Sequence, residues 1–144
     1  MIAVDTNILV YAHRKDAEWH GPANRCISEL AESRTNWAIP WPCLHEFVAI
    51  VTHPRIYSPP SSLQQAFDQV EAWRESPGLQ LIHESREHWS VFRELMTTGQ
   101  AKGPVVHDAR IAAVCITHGV RELLTADRDF SGFPALRTRN PLIP

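Results

Sequence analysis

The chain has 144 residues, 44% of them apolar and 21% charged, with a formal net charge of −2. A chain this long buries roughly 70% of its unfolded surface and needs no disulfide or metal merely to fold, and the near-neutral balance announces no bulk attraction to nucleic acid. No run approaches the roughly 20 apolar residues of a membrane span, no basic-then-apolar leader is present, and Cys26, Cys43 and Cys115 show no CxxC spacing that would indicate a disulfide framework or zinc site.

The expectation is one domain over 1–144, in a reducing cytoplasm, with the cysteines as small buried hydrophobes. Ile2-Ala3-Val4 reads as a short strand buried on both faces, followed at once by Asp5, Thr6 and Asn7. Residues from about Asp16 to Arg34 suit a helix. Trp37-Ala38-Ile39 is a second strand closed by Pro40, and Pro42 suits the first turn of a helix running to about Thr52. His53-Pro54 breaks that helix, and "HPRIYSPP" is a loop.

Ser62 and Gln65 have capping-box spacing, ahead of a helical stripe of Leu63, Ala66, Phe67, Val70 and Trp73. Pro77-Gly78 is a turn and Leu79–Ile82 a strand. Ser85 is placed to cap a helix carrying Trp89, Phe92, Leu95 and Met96 on one face. Gly103-Pro104 opens a helix with Val105, Ala109, Ala112, Ala113 and Ile116 inward, ended by Gly119. Leu123–Thr125 is a strand, "ADRDFSGFP" a loop anchored by Phe130, and Leu136–Thr138 a last strand. Short apolar strands alternating with helices predict an α/β/α sandwich around a mostly parallel sheet.

In such sheets ligands bind beyond the carboxyl ends of the strands. Asp5 stands at the end of the first strand, and Asp127 just past the Leu123–Thr125 strand. Pro42 and Pro104 each lead by four residues to an acid, Glu46 and Asp108, near the start of a helix where the dipole favours an anion. Alone, each acid reads as a cap or a solvated side chain. Together, four at one sheet edge repel one another unless a cation intervenes. Oxygen donors of this kind suit Mg²⁺ or Mn²⁺, which points to hydrolysis of a phosphodiester by metal-activated water.

Other chemistries fit less well. "HEFVA" fails the HExxH zinc motif because position 49 is Ala49, and "GQAKGP" is not a P-loop. An aspartyl nucleophile at Asp5 would want a second Asp where Asn7 stands. A non-catalytic cation-binding interaction module of the same fold is the alternative.

The segments "VDTNILVYA", "LHEFVAIVTHPR", "VHDARIAAV" and "LLTADRDF", in that order, resemble the PIN-domain ribonucleases, particularly the VapC toxins of bacterial toxin–antitoxin pairs. The resemblance implies that Asp5, Glu46, Asp108 and Asp127 form an acidic quartet binding Mg²⁺ or Mn²⁺ and activating water against RNA. It implies polar supports at Thr6, Asn7 and Thr125, a homodimer, and inhibition by a small VapB-like antitoxin. Asp129 is a further acid in the last loop that either ligates metal or braces Arg128 or the turn.

RNA contacts are expected from among Arg14, Lys15, Arg86, Arg110, Arg128, Arg137 and Arg139, with most of these ordinary surface charges. His13 and His20 are candidate groove residues, and His107 is expected to face away from the acids on its helix. Trp19, Trp37 and Trp41 are expected to be buried.

Overall fold

A computed structural model describes residues 1–144. Five strands form one sheet: β1 Ile2–Val4, β2 Trp37–Pro40, β3 Leu79–Ile82, β4 Glu122–Leu124 and β5 Thr138–Arg139. Their order is β3-β2-β1-β4-β5, and every neighbouring pair is parallel. From the central β1 the chain builds outward through β2 and β3, then returns to add β4 and β5 on the other side. The sheet order therefore reverses between β1 and β4, and the crevice at the carboxyl ends of these two strands is where such sheets bind ligands.

Six helices flank the sheet: α1 Thr6–His13, α2 His20–Glu32, α3 Trp41–Val51, α4 Leu63–Arg74, α5 His88–Thr98 and α6 Val105–Thr117. Helix α1 packs on α2 and α3, α3 on α4, and α5 on α6. The apolar run after Asn7 is thus a helix, and its 3.6 period is hidden because Thr6, Ile8, Leu9, Val10 and Ala12 are all buried. Helix α4 carries the full capping box at Ser62 and Gln65. Gly119, at φ +67°, follows the last residue of α6 and its cap His118 in the left-handed conformation that ends helices.

Trp37 shows why β2 is a central strand. It is fully buried, worth about 1.5–3 kcal/mol for a large apolar side chain, and its Nε1 donates to Ser76 Oγ at 3.0 Å. Gly78 lets the turn before β3 close against this strand. A Cβ there would lie 2.5 Å from the Thr35 carbonyl oxygen, and the Gly78 carbonyl accepts from Trp37 N.

Several elements differ from expectation. Helix α2 begins at His20 rather than near Asp16, because Arg14 pairs with Asp16 and ties the intervening turn to Pro59 and Ser61. Ser85 does not cap α5; the cap position is Glu87, without a side-chain hydrogen bond, and Ser85 Oγ has no partner. Strand β4 starts one residue early, at a buried Glu122 neutralised by Arg137 and Arg139. Strand β5 begins at Thr138, two residues later than read.

Leu63, Phe67 and Trp89 lie on the outer part of their stripes and are exposed, as are Trp19 and Trp41, whereas Trp37 and Trp73 are buried. Cys43 and Cys115 are buried and Cys26 half-buried. No helix is long and apolar enough to cross a membrane.

Candidate functional site

The β1–β4 register decides where the first carboxylate points. Ala3 pairs with Leu123 and Val4 with Leu124, so the next pair across the ladder is Asp5 and Thr125. Asp5 N donates to Leu124 O at 3.0 Å, while Thr125 Oγ1 donates to Asp5 Oδ2 at 2.8 Å. The other oxygen, Oδ1, accepts from Thr6 N at 2.8 Å and from Cys43 Sγ at 3.5 Å. Asp5 therefore ends the strand, caps α1 and presents an immobilised carboxylate to the crevice. Burial raises its pKa, and the hydrogen bonds from Thr125, Thr6 and Cys43 work against that rise.

Thr125 is the junction of a wider network. Its Oγ1 also accepts from Asn7 Nδ2 at 3.3 Å and from Asp127 N at 3.0 Å. Asn7 Oδ1 accepts from Ala126 N at 3.2 Å, which clamps the loop after β4 onto α1. Thr6 Oγ1 reaches across to donate to Glu46 Oε2 at 3.2 Å. All three expected supports thus contact the acids or the loop that carries them.

The four acids read from the sequence line one pocket of about 480 Å³. With Asp129, which stands beside the pocket lining, they fall into two groups. Asp5 and Glu46 are bridged through Thr6. Asp108, Asp127 and Asp129 each bring one carboxylate oxygen within 4.8 Å of the other two. Asp129 therefore stands with the acids, while its backbone N–H donates to Asp127 Oδ1 at 2.8 Å; Asp127 caps the 3₁₀ turn Arg128–Gly132.

Asp108 lies in the first turn of α6, as its spacing from Pro104 predicts. Glu46 lies deeper in α3, beyond the first turn, so it gains little from the helix dipole. Despite the favourable dipole, the Asp108 carboxyl is pushed up to about 6. Burial is the largest cause, followed by repulsion from Asp127, Asp129, Asp5 and Glu46. A cation among these carboxylates would relieve that repulsion, as a proton on Asp108 does. The three clustered groups are hard oxygen donors with no imidazole or thiol among them, a donor set that fits Mg²⁺, Mn²⁺ or Ca²⁺ rather than zinc.

Some expectations at the periphery are corrected. His13 and His20 do not reach the acids: His13 bonds Gln69 and Ser61, and His20 the Tyr11 carbonyl. His107 does line the pocket, together with His45 and Arg110. Arg14 is spent on Asp16 and the Tyr57 ring, and Arg137 and Arg139 on Glu122. The Cys43 contact to Asp5 has no sequence signal beyond its place at the third position of α3.

A PIN-domain profile matches residues 2–136 of this arrangement. The chain belongs to the PIN-domain family. A VapC ribonuclease of Mycobacterium bovis is 34% identical over 142 residues, spanning 99% of this chain and 96% of the relative, which places this PIN domain among the VapC ribonucleases. Ribonuclease VapC48 of Mycobacterium tuberculosis is 26% identical over 137 residues, 95% of this chain and 94% of that one. The crystal structure of VapBC2 from Rickettsia felis, bound to a DNA fragment from its promoter, contains a chain that superposes with a TM-score of 0.70 at 24% identity. It covers 97% of this chain and 98% of that one, and the two share a fold.

Proposed function

We propose that this PIN domain is a divalent-metal-dependent endoribonuclease, the toxin of a toxin–antitoxin pair, hydrolysing RNA phosphodiester bonds. The observation that carries the reading is the convergence of Asp5, Glu46, Asp108 and Asp127, from four separate segments, on one pocket at the β1–β4 crevice. Membership among the VapC ribonucleases supports it.

Asp5, Asp108 and Asp127 would hold Mg²⁺ or Mn²⁺, with Asp129 as a further ligand beside Asp108 and Asp127 and Glu46 on the same pocket wall. A bound ion of this kind supplies Lewis acidity at the phosphoryl oxygens and lowers the pKa of a coordinated water. Asp5 is fixed by Thr125, Thr6 and Cys43, so its charge needs no rearrangement during the reaction. Glu46 spends Oε2 on Thr6 and keeps Oε1 to accept the proton of the attacking water. The attack forms the new P–O bond as the bond to the leaving ribose oxygen breaks; that oxygen takes up a proton from solvent, and Glu46 returns to solvent the proton it accepted.

By the same family membership we infer a VapB-like antitoxin that blocks the pocket, a homodimer, a cytoplasmic location and one functional domain over 1–144. The test is cleavage of RNA by the purified full chain, free of partner, with Mg²⁺ or Mn²⁺ and with chelator. Cleavage that chelator stops, and that Asp5→Asn abolishes without unfolding the protein, is the expected result. Metal binding without cleavage of any RNA offered would replace this reading with a cation-binding interaction module.

A further inference from the structure

The acidic pocket carries one fixed cation on its wall. Of the fourteen Lys and Arg residues, Arg110 is the only one that lines it. Its Nε donates to Glu84, which stands just beyond the carboxyl end of β3. No protein acceptor meets its two Nη groups. Both partners of the pair are substantially exposed, at 48% and 36%, so the bond contributes little to stability. What it does is hold the guanidinium in one place at the pocket edge.

The pocket is lined by more than the acids. Its lining continues along one face of α3, at Pro42, His45 and Ile50, and along one face of α6, at His107, Arg110 and Ile111. The row Pro42, Glu46 and Ile50 on α3 and the pair His107 and Ile111 on α6 repeat every four residues, so each set shares one helix face and the pocket lies between α3 and α6 with Glu46 and Asp108 in its wall. Beside Glu46 and Asp108, the α3 and α6 side chains that line it are apolar, imidazole or guanidinium. A polyanion entering a pocket of clustered carboxylates is repelled, and the arginine fork, matched to two phosphate oxygens at once, is the group that offsets this.

We propose that Arg110, aimed by Glu84, binds a backbone phosphate of the RNA strand next to the one that is cleaved, where the strand passes between α3 and α6. Arg110 is then a substrate-binding residue and Glu84 a positioning residue. The proposal rests on the ribonuclease reading above.

The experiment is steady-state cleavage of a labelled single-stranded RNA oligonucleotide with Mn²⁺ by the wild type, R110A, R110K and E84Q, at several salt concentrations. R110A is expected to raise KM about tenfold with kcat changed less than about threefold, and to reduce the salt slope of kcat/KM by about one. R110K keeps the salt slope but not the wild-type KM, because an ammonium lacks the fork. E84Q raises KM by less than R110A does.

An unchanged KM in R110A overturns the proposal while wild-type cleavage still upholds the ribonuclease reading. Should R110A fail to fold, unchanged KM in both R110K and E84Q overturns it equally. Should the wild type cut no RNA, anisotropy of the same oligonucleotide with Asp5→Asn, with and without R110A, decides. Affinity falling at least about fivefold supports the Arg110 contact, and equal affinity overturns it.

Discussion

Thr125 Oγ1 sits at the centre of the site, donating to Asp5 Oδ2 at 2.8 Å while accepting from Asp127 N at 3.0 Å. One hydroxyl thus couples the carboxylate that ends β1 to the loop that carries Asp127. Thr125→Val keeps the shape and removes both functions. It is expected to lower cleavage about 10- to 100-fold, in the range of residues that orient metal ligands, and to weaken Mn²⁺ binding. Thr125→Ser restores both. Parallel kcat measurements and calorimetric Mn²⁺ titrations check this.

Metal should act as a stabilising ligand of the folded state. Mn²⁺ held by the native carboxylates and not by the unfolded chain is expected to raise the wild-type Tm in proportion to the logarithm of its concentration. Asp108→Asn is expected to abolish that rise while raising the Tm of the metal-free protein at neutral pH, since it removes one of the mutually repelling charges. Differential scanning calorimetry with and without Mn²⁺ reads both effects.

The Asp108 carboxyl, at about 6 in the fold against an ordinary value of 3.8, sets a pH dependence. A raised acid binds its proton more tightly in the native state. Its stabilising contribution is therefore full below about pH 3.8 and is lost as pH rises through about 6. Metal competes with that proton, so Mn²⁺ affinity should rise between pH 5.5 and 7.5 by about fourfold from this group alone. Calorimetry in buffers of different ionisation enthalpy should show proton release on Mn²⁺ binding at pH 5.5 that fades by pH 7.5.

Asp129→Asn tests whether the third member of the clustered acids ligates. Its carboxylate oxygen lies within reach of those of Asp108 and Asp127, while its structural hydrogen bond uses only its backbone N–H. The substitution is expected to weaken Mn²⁺ binding about tenfold and to raise the metal-free Tm slightly at neutral pH, since it removes one of the charges that repel Asp108. Unaltered Mn²⁺ affinity would assign Asp129 to the turn instead.

Gly78→Ala probes the fold away from the site. The added methyl would meet the Thr35 carbonyl oxygen at 2.5 Å, and backbone on both sides leaves little room to yield. An overpacking cost of about 1–3 kcal/mol is expected, seen as a lower urea midpoint with no change in Mn²⁺ affinity.

Local patterns along the chain determined a good deal. The apolar β1, the capping box of α4, the proline-led starts of α3 and α6 and the glycine end of α6 are short-range features, and each folds as its residues dictate. The acids were legible for the same reason: strand ends and helix starts place carboxylates at one edge of any parallel sheet.

What only the tertiary structure decided is pairing between distant segments. The β1–β4 register set Thr125 against Asp5, 120 residues apart, and no local signal carries that distance. Exposure followed the same rule. Leu63, Phe67 and Trp89 share an apolar period with buried neighbours, but which part of a stripe meets the core depends on where the helix docks. The division of the acids into Asp5–Glu46 and Asp108–Asp127–Asp129, and the choice of Arg110 as the cation beside them, come from packing α3, α6 and the last loop around one crevice. Sequence spacing brings the charges to the same edge; only the packed backbone sets the ångström distances on which electrostatics depends.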